Sequence, residues 1–233
     1  VALVGGGTKA RPGEISLAHN GVLFLDELPE YDRGALEALR QPLENGYITI
    51  SRVNAHTVYP AKFQLIAAMN PCRCGNLGNP ALECSRAPKC AEEYQSRLSG
   101  PLLDRIDIHI EVPAVSPWEM AAVKTGESSA AIRERVIRAR EIQKQRFIEL
   151  DEPQLSTNAQ LRGRLLEEVT RLDKDAEELL INFAHKNQLS ARAYHRTLRL
   201  ARTIADLQSS VNVLKIHIAE ALSYRRKLPA KTI

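Results

Sequence analysis

The chain has 233 residues, a formal net charge of +4 and 26% charged residues, enough length to bury one large core or two small ones. A charge this small does not by itself mark a nucleic-acid binder. No apolar run approaches the roughly 20 residues that cross a bilayer, which excludes a helical membrane-spanning protein.

In chain order, residues 1–20 are Gly-rich and read as loop, with a turn at Pro12-Gly13. The opening at Val1 rather than Met reads as the interior of a longer chain. Gly21 to Leu25 is an unbroken apolar run ending in Asp26-Glu27, the pattern of a buried parallel strand whose carboxyl end carries chemistry. Asp32 is placed to cap a helix running to about Asn45, with Leu36, Leu39 and Leu43 on one face. Tyr47–Ser51 and His56–Tyr59 predict a hairpin turning at Val53-Asn54-Ala55. Phe63–Met69 predicts a second buried strand, stopped by Asn70-Pro71.

Residues 71–90 are broken by Gly and Pro and predict an irregular segment, followed by a short helix near 91–99. Arg105–Val112 reads as a third strand and Pro113–Ser129 as a connector. Helical periodicity then takes over. A long helix starts at Ser128 or Ser129 and carries Ile132, Val136, Ile142 and Phe147. Further helices cover about 158–171, 173–185, 190–208 and 211–225. The expected division is an α/β part, residues 1–113, and an all-helical part, residues 114–233. From Lys186 to Lys231 there are ten Lys/Arg against two acids; this is either a solvated helical face or a contact surface for nucleic acid or nucleotide.

The strand ending Asp26-Glu27 has a physical logic. A nucleotide-bound Mg²⁺ takes oxygen ligands in octahedral geometry, many of them water. A carboxylate at the tip of a buried strand, Asp26, can hold that ion, as the Walker B Asp does in P-loop NTPases. Glu27, next along, can polarise an attacking water as general base. The plain alternative is a buried strand ending in a charged turn. The phosphate loop that should accompany it needs G-x-x-x-x-G-K-[ST]. Gly5-Gly6-Gly7-Thr8-Lys9 has Thr and Lys in the wrong order, and no Gly-Lys-Ser/Thr occurs in the chain. The expectation is that such a loop lies upstream, and that this chain alone binds ATP poorly and does not hydrolyse it.

Five stretches carry a resemblance: Pro12–Glu30, Leu39–Glu44, Ala68–Cys72, Ser99–Asp107 and Leu189–Leu207. Together they resemble the magnesium-chelatase-like AAA+ ATPases of the ComM/YifB type, over nearly the whole chain. The family is related to the magnesium chelatase ATPase subunit and, more distantly, to the MCM helicases. The implied fold is α/β: a partial AAA+ P-loop NTPase core, with a parallel sheet, helices and a β-hairpin insertion, followed by an all-α lid domain.

The resemblance also implies roles. Asn70 matches sensor 1, an amide that orients the lytic water; the alternative is an Asn-Pro turn. Arg105 matches the arginine finger, offering its guanidinium to a neighbouring subunit's nucleotide; the alternative is a surface ion pair with Asp104 or Asp107. Arg192 matches sensor 2 of the lid, with Arg196 one turn on as runner-up. Arg199 and Arg202 are expected to be solvated or at a subunit interface. Residues 1–15 and the hairpin at 47–59 match insertions that line a central pore and touch DNA, with Arg52, His56 and Lys62 as candidate phosphate contacts.

The implied cofactors are ATP and Mg²⁺, and the implied assembly is a hexameric ring in the cytoplasm. The function implied is a DNA motor promoting branch migration in natural transformation. The alternatives are a chelatase-type remodeller of a protein or cofactor-inserting partner, and a bare lid and interaction module.

All four cysteines, Cys72, Cys74, Cys84 and Cys90, follow C-x-C-x₉-C-x₅-C. In a reducing cytosol disulfides are the weaker explanation. Four thiolates suit a structural Zn²⁺, although C-x-C is less usual than C-x-x-C; free reduced thiols are the alternative.

Overall fold

The computed structural model describes residues 2–7, 10–52, 55–77, 84–113, 115, 118 and 126–225. Thr8 and Lys9 of the Gly-rich stretch, the hairpin turn 53–54, most of the connector and the basic residues 226–233 lie outside the described residues. The chain divides into two compact units, Val1–Ile106 and Asp107–Ile233.

In the first unit the stretch expected to be loop forms structure. Strands β1 (Gly5–Gly6) and β2 (Arg11–Pro12) pair antiparallel, and helix α1 (Glu14–Leu17) follows. Glycine permits this close approach: a Cβ on Gly13 would lie 2.2 Å from the Gly5 backbone N, and one on Gly5 would lie 2.4 Å from the Arg11 carbonyl.

Strand β3 (Val22–Leu25) is the predicted acidic-tipped strand. The predicted helix from Asp32 forms as two pieces, α2 (Arg33–Ala38) and α3 (Arg40–Asn45). Asp32 caps α2 through the Gly34 and Ala35 amides. The break follows from Pro42, which has no N–H to give the Ala38 carbonyl. Gly46, at φ 76°, closes α3 by donating to Pro42 O. The hairpin is β4 (Tyr47–Arg52) and β5 (Ala55–Pro60), antiparallel from Tyr47↔Pro60 to Arg52↔Ala55.

Strand β6 (Gln64–Ala67) pairs parallel with β3, from Val22↔Gln64 to Leu25↔Ala67. Leu23 and Leu25 face a core with Ile15, Leu28, Leu36, Leu39, Ile48, Leu98 and Leu102. Burial on both faces was expected of so apolar a run, but Val22 and Phe24 are 55% and 59% exposed. Among the described residues only one face of the pair is covered. Helices α4 (Lys89–Gln95) and α5 (Gly100–Leu103) complete the unit.

The predicted third strand does not form. Residues 106–113 carry no regular structure, and His109 N donates to Tyr224 O.

The second unit is helical: α6 (Ser129–Glu149), α7 (Gly163–Val169), α8 (Lys174–Lys186), α9 (Ala191–Leu207) and α10 (Lys215–Ser223). Ser128, Asp173 and Ser190 cap α6, α8 and α9 with side-chain oxygens. The helix expected over 158–171 is interrupted. A 3-10 turn at Asn158–Gln160 is held by the buried Asn158 amide, which donates to Asp206 and Thr203, and Gly163 sits at φ 50°. Helix α9 packs against α6, α7 and α10, and α10 also against α8. The core gathers Phe147, Leu161, Leu180, Leu198, Ala201, Val213 and Ile218.

Candidate nucleotide and metal sites

The parallel pairing brings the carboxyl ends of β3 and β6 side by side. Ala68 N donates to Leu25 O and Leu28 N to Ala68 O, both at 2.9 Å. Asp26 and Glu27 therefore emerge beside the Met69-Asn70 end, and Asp26, Glu27 and Asn70 are all exposed. This is the crevice end of a parallel sheet, where ligands of α/β proteins bind. Asp26 Oδ1 accepts the Glu27 amide at 2.8 Å.

Glu27 occupies the left-handed region at φ 49°, ψ 46°, a strained conformation for a residue with a Cβ. Its carbonyl accepts Glu30 N at 2.8 Å, starting a 3-10 turn at Leu28–Glu30. Arg97 anchors that turn, donating to Pro29 O and Glu30 Oε2, each at 3.1 Å. A cavity of about 410 Å³ beside the turn is lined by Pro29, Tyr31, Arg33, Ser96 and Arg97. Tyr94 is buried nearby, and its phenol is pushed up by that burial and then by the charges of Glu30 and Glu27.

Arg105 is only 9% exposed. Its guanidinium donates to Pro101 O at 2.7 Å and pairs with Glu44, while its Nε has no partner. The ion pair of Arg105 is thus with Glu44, 61 residues away, rather than with the neighbouring Asp104 or Asp107 considered from sequence.

In the helical unit Arg192 is exposed on the first turn of α9. It lines a cavity of about 270 Å³ with Leu161, Arg162, Gly163, Leu166, His195 and Arg199. Arg196 is turned to Asp107, 3.1 Å away. Arg199 donates to Leu161 O at 3.1 Å, and burial, then the neighbouring Arg162 charge, lower its affinity for its proton.

Arg202 corrects the expectation of a solvated side chain. It is 1% exposed. It holds Asp206 within α9 and donates to the carbonyls of Ser210 and Val211. Asp206 also takes two bonds from Arg146 and one from Asn158. The local signal was available, since Arg202 and Asp206 stand at i,i+4; the contribution of Arg146, 60 residues away, was not.

Sequence reasoning also missed Glu44, Arg97 and Arg162. No local pattern links Glu44 to Arg105. Arg162 precedes a helix that the periodicity ran straight through.

Of the candidate DNA contacts in the first unit, exposed His56 shares a hydrogen bond of 3.0 Å with Ser51 Oγ. Lys62, also exposed, donates its backbone N–H to His19 Nδ1. The Arg52 side chain lies outside the described residues.

The cysteines converge. The Sγ atoms of Cys72, Cys74 and Cys90 all lie within 4.8 Å of one another, with Cys72 and Cys74 at 3.3 Å. Cys84 stands outside this group of three. Cys72 is buried, Cys74 exposed, and Cys84 and Cys90 are in between; all are free thiols. A backbone hydrogen bond from Asn76, then bonds from Cys72 and Cys84, lower the Cys74 thiol. At Cys84 a backbone bond from Arg86 pulls down, but the bonds to Cys74 and Cys90 and burial outweigh it and raise the group.

No helix of the described residues is long and apolar enough to cross a membrane. Residues 1–120 match the family model of magnesium chelatase, subunit ChlI, and residues 126–225 match that of its C-terminal part. The chain is 50% identical over 226 residues to competence protein ComM of Haemophilus influenzae, covering 96% of this chain and 42% of that protein. It is 45% identical over 225 residues to the uncharacterized protein YifB of Salmonella typhimurium, covering 96% and 43%. Identity to the chloroplastic magnesium-chelatase subunit ChlI-2 of Arabidopsis thaliana is 25% over 235 residues, covering 97% and 49%. The chain thus spans less than half the length of these curated relatives. Its small parallel sheet with helices and its helical C-terminal part fit a partial AAA+ core with a helical lid, the class in which ATP and Mg²⁺ are the general cofactors. The chain belongs to the magnesium chelatase ChlI family, and within it to the ComM/YifB type.

Proposed function

We propose that the full-length protein is a cytoplasmic ATP-hydrolysing DNA motor, a hexameric ring that promotes branch migration during natural transformation. The observation that carries its ATPase part is the shared carboxyl edge of β3 and β6, where Asp26, Glu27 and Asn70 emerge together. The DNA part rests on the ComM/YifB likeness and on the competence named for the Haemophilus relative.

In this reading the exposed Asp26 carboxylate fits one oxygen ligand of a Mg²⁺ that keeps most of its waters. That ion would neutralise phosphate charge. Glu27 takes the proton of the attacking water, and the Asn70 amide orients it. Arg192 contacts the γ-phosphate from the lid; Arg196 is the weaker candidate because Asp107 holds it. Arg105 serves the neighbouring subunit's nucleotide, exchanging Glu44 for phosphate oxygens. The domain division proposed from sequence, 1–113 and 114–233, assigns the acids, Asn70 and Arg105 to the core and Arg192 to the lid. The hairpin β4–β5 is the DNA-facing element, through Arg52, His56 and Lys62.

The test is turnover by the full-length protein with and without branched or single-stranded DNA. Stimulation by DNA is expected, and Glu27→Gln should lower turnover by about 10²–10⁴-fold, the contribution of a positioned base. No response to DNA, with stimulation by a protein partner instead, would select the chelatase-type remodelling reading favoured by the ChlI likeness. Undiminished hydrolysis by Glu27→Gln would remove the general base.

A further inference from the structure

The segment between β6 and α4 has little apolar material to order it, yet it holds every cysteine of the chain. Burial explains Cys72, which is fully enclosed, but not Cys74, which is exposed.

The local geometry points one way. Cys72 opens a turn in which Gly75 N donates to Cys72 O at 3.0 Å, and Cys84 opens another in which Ala87 N donates to Cys84 O at 2.8 Å. Cys90 enters from the first turn of α4.

Distances agree with one ion. With Zn–S bonds of about 2.3 Å, four sulfurs on a tetrahedron stand about 3.8 Å apart. The 3.3 Å between Cys72 and Cys74, and the 4.8 Å limit that includes Cys90, bracket that edge. Cys84, half-buried in the same segment, is the remaining thiol that a four-coordinate site would take.

We propose that Cys72, Cys74, Cys84 and Cys90 form a structural tetrathiolate zinc site that fastens the segment after β6 to the first turn of α4. Four thiolates leave no open coordination position, so the ion is structural rather than catalytic. They also exclude the hard cations Mg²⁺ and Ca²⁺, which take oxygen. Arg73, Arg86 and Lys89, interleaved with the ligands in sequence, offset the net negative charge of a zinc bound by four thiolates. The site stands independently of the nucleotide chemistry.

The experiment is elemental analysis of the full-length protein, purified without added metal or chelator. One zinc per chain is expected. Cys74→Ser with Cys84→Ser should lower retained zinc at least about tenfold, the scale on which even outer-shell losses act. A mercurial should release the wild-type zinc as these four thiols titrate, a readout that needs no variant to fold. Cobalt exchanged into the wild type should show the absorption of a tetrahedral thiolate complex. Iron in place of zinc would overturn the assignment, as would zinc-free protein whose four thiols react freely in the native state.

Discussion

Replacing Glu27 by glycine separates the cost of its backbone from the chemistry of its side chain. At φ 49° the residue lies where a Cβ crowds the following carbonyl, at about 1–2 kcal/mol for an L-residue. The hydrogen bonds that hold the conformation are backbone ones: Glu27 N to Asp26 Oδ1, and Glu30 N to Glu27 O. Both survive in glycine. Glycine loses about 0.5–1 kcal/mol of that gain to the extra freedom of the unfolded chain. The net expectation is a stabilisation of about 0.5–1 kcal/mol for Glu27→Gly over Glu27→Gln. With a slope of about 2 kcal/mol per M, the urea midpoint rises by about 0.3–0.5 M. The assay is paired urea titration of Glu27→Gly, Glu27→Gln and wild type, with turnover measured alongside. Glu27→Gln should match wild type in stability. If Glu27→Gly is no more stable than Glu27→Gln, the acid is not held in a strained conformation and the reasoning fails.

Two further predictions concern the helical unit. Asp206→Asn leaves the guanidiniums of Arg202 and Arg146 around a site with no counter-charge. It should cost about 3–5 kcal/mol, the scale for breaking a buried ion pair, and lower the urea midpoint by about 2 M. A shift no larger than that of the exposed control Glu134→Gln would refute it. His217 is buried, accepts Leu214 N–H on Nδ1 and faces Gln208 Oε1 with Nε2. Burial, then the Arg202 charge, hold its folded pKa below the ordinary value against the opposing pull of Glu220 and Asp173. The unfolded chain therefore binds the extra proton first. Stability is fully present above about pH 6.5 and falls as pH drops toward the folded value. Urea midpoints at neutral pH and near pH 5 should show the loss, and His217→Asn should flatten that part of the slope.

What was legible in the sequence was what local chemistry decides. Asp32 and Ser128 announced helix starts because a cap bonds to amides two or three residues on. The acidic-tipped strand was legible because four apolar residues, Val22–Leu25, run straight into two acids. The misses are long-range. Arg105 finds Glu44 61 residues away, and Arg202 is drawn inward because Asp206, Ser210 and Val211 together satisfy it. The run at 105–112 alternates like a strand, but a strand needs a ladder partner, and its described backbone bonds run back to Leu102 and Leu103 and from His109 to Tyr224, none of them to a strand. The cysteine spacing named the candidate ligands; the two turns that aim them appear only in three dimensions.

The position of Asn70 follows from constraints on both of its sides. Before it, Ala68 is tied to β3 through Leu25 O and Leu28 N. After it, Pro71 O accepts Gln95 Nε2 of α4 at 2.9 Å, and the next residue, Cys72, is fully buried among the thiols. The amide thus stands on a short span fixed to the sheet at one end and to α4 at the other. Asp26 and Glu27 are fixed by the sheet and by the Arg97-anchored turn. A disturbance of the cysteine segment therefore reaches Asn70 across two peptide units, and reaches the acids by way of the Ala68 hydrogen bonds to Leu25 and Leu28. Asn70 and the acidic pair, although side by side at one sheet edge, rest on separate supports.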